Sequence, residues 1–265
     1  LLSSCKKSET AAHSTQSSQS TVSTPKVLNI YCWSNYFSPE IIKKFEEKFS
    51  AKVVLNFFSS NEELLAKLQA GARGYDLIVP TGYVLKAMRE LQLLEPLGKL
   101  DWPEISTIEK RFQSLAFDPQ HEVSIPYAWG TTGIAVNRNK IKDKIDSWDW
   151  VFNHPELAGQ LTMLDDAPSV VGAALKYLGY KYNEGSPEAL AKVKAILVKQ
   201  KRWLKAYTPE SQPVLESGEF ALAQAYSGDV LQVKLHKQKN IDYIMPKEGG
   251  ELFVDVLAIP KGAQS

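Results

Sequence analysis

Cysteine is scarce: Cys5 and Cys32 are the two in 265 residues. Two such residues cannot build a disulfide framework or a cysteine-rich metal centre. The four histidines, His13, His121, His154 and His236, stand far apart without ligand spacing, so no metal site is expected. No GxSxG or P-loop pattern occurs, which removes the usual hydrolase and nucleotide-binding signatures. Nothing approaches the roughly 18 uninterrupted apolar residues of a membrane span. Charge of one sign is lacking too. The net charge is +1 with Lys and Arg scattered, which argues against a nucleic-acid footprint.

What remains is ordinary globular material, 44% hydrophobic and 23% charged, with length for roughly two domains of about 100–150 residues. The amino-terminal stretch differs. Leu2-Ser3-Ser4-Cys5 resembles a bacterial lipobox, an aliphatic residue and two small ones before an acylated cysteine. That resemblance implies lipidation of Cys5 and membrane attachment through the lipid alone. The Ser/Thr/Gln-rich tract Ser8 to Thr24 has too few apolar residues for a core and reads as a flexible tether over 1–24.

From Pro25 the periodicity predicts alternating strands and helices. Val27–Tyr31 reads as a strand, followed by the polar-aromatic loop Cys32–Tyr36. Ser38-Pro39-Glu40 gives an N-cap, a proline in the first turn and an acid, with Ile41, Ile42, Phe45 and Phe49 as the apolar stripe of the helix. Lys52–Phe58 reads as strand, and Ser60-Asn61 caps a helix to Ala70. Tyr75–Val79 is a buried-type strand, ended by Pro80-Thr81-Gly82 before a helix through Met88. This β-α-β-α-β-α order implies an open, largely parallel α/β sheet. Ligands in such sheets sit beyond the carboxyl ends of strands, which singles out the loops Cys32–Tyr36 and Pro80–Tyr83.

Further on, Ile134–Val136 and Leu161–Leu164 read as strands, and Asp166 to Leu178 as loop and helix. Glu188 to about Leu204 reads as a long helix and Phe220–Tyr226 as a strand. Ser227-Gly228-Asp229 leads a helix through His236, and Ile241–Met245 and Phe253–Ile259 are the last strands.

Six segments now fall into a familiar order: Tyr31–Tyr36, Tyr75–Thr81, Ile125–Gly133, Leu164-Asp165-Asp166-Ala167, Tyr226-Ser227-Gly228-Asp229 and Pro246–Gly250 with Asp255. Together they resemble the polyamine (spermidine/putrescine) receptors of bacterial ATP-binding-cassette importers, over Val27 to Pro260. The resemblance implies a type II periplasmic-binding-protein fold: two α/β lobes closing on a ligand, one at 27–130 plus 256–265, the other at 131–255. The family continues with further helices past Pro260, so part of lobe one is expected beyond Ser265. The implied function is a periplasmic, monomeric receptor that hands a polyamine to a membrane permease, without cofactor or catalysis.

A polyamine alternates methylenes with protonated amines, so its site needs carboxylates and aromatic faces. Cation–π attraction adds roughly 0.5–2 kcal/mol per ring. The resemblance assigns ligand contact to Trp33, Ser34, Tyr36, Thr81, Tyr83, Asp166, Tyr226, Asp229 and Asp255, with Phe253 as a further aromatic candidate. Asp166 and Asp229 suit helix N-caps equally well. Asp255 stands in the apolar run Leu252–Leu257, where a charge needs a partner or a cation. Trp33 and Tyr36 could be core aromatics, and Tyr83 the first core residue of its helix. Trp129-Gly130 reads as packing at the interlobe crossover. Two departures bear on ligand choice. A glutamate often found three residues after the Asp166 position is Ser169 here, and tryptophans of the family are Tyr226 and Phe253. Asp229 matches the putrescine-preferring branch.

Two other receptor classes of the same fold fit less well. A ferric site would want a neighbouring tyrosine pair, and an oxyanion site a loop free of acids. An enzyme using Asp165 and Asp166 is disfavoured, because adjacent residues on an extended segment face opposite ways.

Overall fold

The computed structural model describes residues 26–98 and 103–264; Cys5 and the 1–24 tether lie outside them. The first α/β register is as the sequence implies. Strands β1 (Lys26–Cys32), β2 (Ala51–Phe57) and β3 (Leu77–Ile78) are parallel, in the order β2-β1-β3. They are joined by helices α1 (Pro39–Phe49) and α2 (Asn61–Gln69). Ser60 caps α2 as expected, its hydroxyl accepting from the Glu63 N–H at 3.1 Å. The helix after β3 opens with a 3₁₀ turn at Gly82–Val84 before α3 (Leu85–Glu90).

Helix α1 departs from expectation. Ser38 holds the N-cap position but its hydroxyl makes no capping bond. The expected apolar stripe buries no residue; Ile41 is 56% and Phe49 53% exposed. Amphipathic spacing formed the helix, and α1 is tied to β2 by the Val53 N–H donating to Glu46 at 2.8 Å, but Ile42 and Phe45 are covered only in part.

The long strand β4 (Ser124–Asn137) organises the molecule. Its first half, Ser124 to Thr131, pairs antiparallel with β9 (Leu252–Ala258), which in turn joins β3. Its second half, Thr132 to Asn137, pairs with β7 (Leu222–Tyr226) on one side and β8 (Ile241–Ile244) on the other. Beyond β7 the sheet continues in parallel with β5 (Leu161–Leu164) and β6 (Leu204–Thr208). The strand read as Ile134–Val136 is therefore the end of a 14-residue strand. β9 pairs with the first half of β4 along its length and meets β3 at Ala258, so a boundary after Asp255 falls inside one strand.

Helices α4 (Asp149–Phe152), α5 (Ala167–Tyr177), α6 (Pro187–Gln200), α7 (Gln212–Ser217) and α8 (Ser227–His236) accompany the second group of strands. Of these, α4 and α7 were not foreseen, nor was β6. The long helical pattern ends at Gln200, and Leu204, read as its last residue, opens β6 instead. Hydrophobic packing follows the same division. Tyr31, Leu64, Leu85, Met88 and Val256 form one core, and Trp148, Phe152, Leu161, Met163 and Leu222 form another.

Candidate functional site

A cavity of about 440 Å³ lies between the two groups of strands. All ten residues singled out from the sequence line it: Trp33, Ser34 and Tyr36 after β1, Thr81 and Tyr83 after β3, Asp166 after β5, Tyr226 at the end of β7 and Asp229 just beyond it, and Phe253 and Asp255 on β9. The walls also include Tyr127, Glu210 and Glu251, which sequence reasoning passed over, and Trp129, which it assigned to packing at the crossover. Asp165 is exposed and absent from the lining, as expected for the neighbour of an inward-facing residue.

Asp255 anchors the floor. It is 1% exposed because β9 is flanked by β3 and β4 and runs apolar on both sides of it. Thr81, bridged to it across the sheet, donates its hydroxyl to Oδ1 at 2.6 Å. Tyr36 donates to the other oxygen, Oδ2. These two donors favour the carboxylate, but burial outweighs them and the pKa is pushed up to about 6. The Tyr36 hydroxyl is held protonated, by burial first and then by the Asp255 charge.

On the other wall, Asp166 caps α5 by accepting from the Ser169 N–H at 2.8 Å. The cap and the cavity role thus coexist in one side chain. Asp229 is no cap. It sits in the first turn of α8, whose N-cap is Tyr226, and accepts from Ser211 Oγ at 2.5 Å. Burial raises its pKa, offset in part by that hydroxyl, with Glu210 raising it further.

Glu251 was missed although its signal was present. Residues 251, 253 and 255 share one face of an extended segment, and the same alternation that exposes Phe253 and Asp255 to the cavity delivers Glu251. Ser169, read as a lost carboxylate, donates its hydroxyl to Glu251 Oε2 at 2.6 Å. Burial raises the Glu251 pKa, the Ser169 bond lowers it, and the Asp166 charge raises it.

Aromatic rings close the cavity. Tyr226 and Phe253 meet edge to face at 5.6 Å. Phe253 lies over Gly130, where a Cβ would come within 2.5 Å of its ring, so that glycine is a space requirement. Trp33 packs on Phe58 at 4.5 Å and joins the first core while lining the cavity. It serves both of the readings its position allowed. Tyr83 is exposed into the cavity rather than buried in its helix, and bonds Asn61 and Glu62. Trp129, expected to pack at the crossover, is 46% exposed and lines the cavity. A bulge in β4 falls at Tyr127, whose side chain lines the cavity and whose hydroxyl donates to the Tyr36 carbonyl at 2.7 Å.

The two walls touch at the mouth. Ser34 donates to Glu210 at 2.8 Å and Asn35 to Gln212 at 3.0 Å. Asn35 holds φ 58° there, the left-handed region that asparagine tolerates better than most residues.

Five carboxylates therefore face one cavity: Asp166, Glu210, Asp229, Glu251 and Asp255. No Lys, Arg or His lines it, and none of the five is ion-paired among the described residues. Desolvated carboxylates crowded together repel one another. Such a site is complementary to a cation that offers several N–H donors. No group of His, Cys, Asp and Glu among the described residues is arranged to hold a metal ion.

Comparison with known proteins agrees with this architecture. Residues 40–265 match the family model for bacterial extracellular solute-binding proteins. The chain is 35% identical over 260 residues to the putrescine-binding periplasmic protein SpuD of Pseudomonas aeruginosa, covering 91% of this chain and 70% of that protein. It is 32% identical to the putrescine-binding periplasmic protein PotF of Escherichia coli, with the same coverage. Among solved structures, a putative spermidine/putrescine ABC transporter protein from Listeria monocytogenes superposes with a TM-score of 0.84 at 32% identity. It spans 90% of this chain and 74% of that one. Built as two strand groups around a shared cleft, and matched along most of its length, the chain belongs to the family of bacterial extracellular solute-binding proteins.

Proposed function

We propose that this protein captures a polyamine outside the cytoplasm and delivers it to the permease of an ATP-binding-cassette importer. The observation that carries this reading is the cavity's charge. Five carboxylates and no basic side chain surround a space walled by Trp33, Tyr36, Tyr127, Trp129, Tyr226 and Phe253. Ammonium groups satisfy the carboxylates, methylenes lie on the rings, and each ring face adds cation–π attraction. An oxyanion would meet five negative charges there.

The lobes of this receptor are 27–130 with 256–265, and 131–255, joined through β4 and β9. Ligand contact is assigned to Trp33, Ser34, Tyr36, Thr81, Tyr83, Asp166, Tyr226, Asp229, Phe253 and Asp255. In this reading a monomer suffices, since the five carboxylates of the cavity come from one chain. A lipid on Cys5 tethers it to the membrane by way of the 1–24 segment. Equilibrium dialysis against radiolabelled putrescine and spermidine tests the reading. Saturable one-site retention that unlabelled polyamine displaces, and that inorganic phosphate does not, is the expected outcome. Retention of neither polyamine would overturn it.

A further inference from the structure

The cavity carboxylates fall into three groups. Asp255 stands by itself on β9, between its Thr81 and Tyr36 hydroxyls. Glu251 lies four residues earlier on the same face, about 13 Å of extended backbone away at roughly 3.3 Å per residue, and shares Ser169 with Asp166, the N–H donating to Asp166 at 2.8 Å and the hydroxyl to Glu251 at 2.6 Å. Asp229 lies on α8 and accepts from Ser211, the chain neighbour of Glu210. Tyr226 lines the same cavity and meets Phe253, the residue between Glu251 and Asp255 on that face, edge to face at 5.6 Å.

Glu251 is held rather than loosely placed. Ser169 Oγ donates to it at 2.6 Å, and its own carbonyl accepts from the Thr132 N–H at 3.2 Å. The preceding Gly250 passes so close to Thr132 that a Cβ there would lie 2.3 Å from the Thr132 carbonyl oxygen. Tyr182 packs over Gly172 of α5, where a Cβ would come within 2.2 Å of its ring, and donates its hydroxyl to the Pro168 carbonyl at 3.2 Å. The Glu251 carboxylate nevertheless lacks a cation among the described residues. A diamine can neutralise two of the three groups and leaves a desolvated third unpaired, which is costly. A chain with two terminal amines and one internal amine can neutralise all three.

Resting on the polyamine reading above, we propose that Glu251 is a specificity-determining residue, which with Asp166 receives one terminal ammonium and makes this a triamine receptor. Ser169 is then a positioning residue that aims Glu251, and the expectation that this site lacks a carboxylate is reversed. The swap also means that Ser169→Glu would set two carboxylates against each other.

Calorimetric titration of the purified protein, Glu251→Gln and Glu251→Asp with spermidine and putrescine tests the assignment. Glutamine keeps an acceptor for Ser169 Oγ and removes only the charge. The parent is expected to bind spermidine at least tenfold more tightly than putrescine. Glu251→Gln should lose at least tenfold for spermidine and less than threefold for putrescine, while Glu251→Asp keeps most of the parent's preference. Equal affinity of the parent for both ligands, or an equal loss of both in Glu251→Gln, overturns the proposal while leaving the polyamine reading intact. A parent that binds neither ligand overturns the polyamine reading itself. Should Glu251→Gln melt well below the parent without ligand, the Glu251→Asp result decides: loss of the parent's preference there, in a folded protein, also overturns it.

Discussion

Asp255→Asn is expected to weaken polyamine binding and, at the same time, to stabilise the ligand-free protein. Both effects come from one buried charge. The carboxyl is 1% exposed, and its ionisation is moved from the ordinary 3.8 to about 6 by burial, despite hydroxyl donors from Thr81 and Tyr36. A folded pKa above the unfolded one means that stability is greatest when the group is protonated and is lost as pH rises through about 6. At pH 7 the ligand-free fold therefore bears a penalty on the order of 3 kcal/mol from this side chain. Asparagine carries no charge and can still bond both hydroxyls, so much of that penalty disappears and melting shifts up by several degrees.

With ligand the sign reverses. An ammonium about 4 Å from the carboxylate at an effective dielectric near 20 gains about 4 kcal/mol, and breaking a buried pair costs about 3–5 kcal/mol. The dissociation constant should rise by roughly 100- to 1000-fold. Calorimetry and thermal melts on the same preparations check both signs. Binding within threefold of the parent would refute the argument that Asp255 faces the cation, and a lower melting temperature would refute the assigned penalty.

Other perturbations follow from the same geometry. Polyamine affinity should fall by about tenfold between pH 7 and pH 5 as Asp255 protonates near pH 6. Binding should release protons, measurable by titrating in two buffers of different ionisation enthalpy; affinity flat across this range would contradict it. Trp33→Ala should lower both affinity and melting temperature, because the ring packs on Phe58 as well as lining the cavity. A loss of about 2–4 kcal/mol in denaturant unfolding is expected for a partly buried aromatic, and unchanged stability would count against its core role. Gly130→Ala should push Phe253 from its seat, weakening binding more than it destabilises the fold, as read by paired titration and melting. Ser34→Ala removes the rim bond to Glu210 and should speed ligand release in stopped-flow fluorescence by a few-fold, as an exposed hydrogen bond of about 1 kcal/mol allows.

Much of the fold was legible because local rules and tertiary packing agree in it. The Ser60 cap, the apolar strand ended by Pro80, and the acid Asp255 in an apolar run each carry a strong local signal. Helix α1 shows the limit: its stripe is real at the level of periodicity, but periodicity does not say whether a partner covers it. β6 was hidden because Leu204 to Thr208 follows a helix with only a short turn between, so the apolar pattern reads through the break. With β6 unseen, the following Glu210 had no sheet edge to place it at a cleft. Glu251 was overlooked for a different reason, as it precedes the strand proper, where alternation is counted only by extending it backwards from Phe253 and Asp255. Asp166 was never a choice between cap and cavity. A helix N-terminus aimed at a cleft makes one carboxylate do both.

The central claim, that a ring of unpaired carboxylates makes this a receptor for multiply charged amines, is tested most directly by one competition calorimetry series. Spermidine and putrescine are titrated into the parent at pH 7.4, followed by a monoamine of matched carbon length, ferric citrate and phosphate. The account predicts one-to-one binding of at least one polyamine, with the monoamine at least 100-fold weaker and neither ferric citrate nor phosphate competing. Comparable binding of monoamine and polyamines, or displacement of polyamine by phosphate, would contradict it.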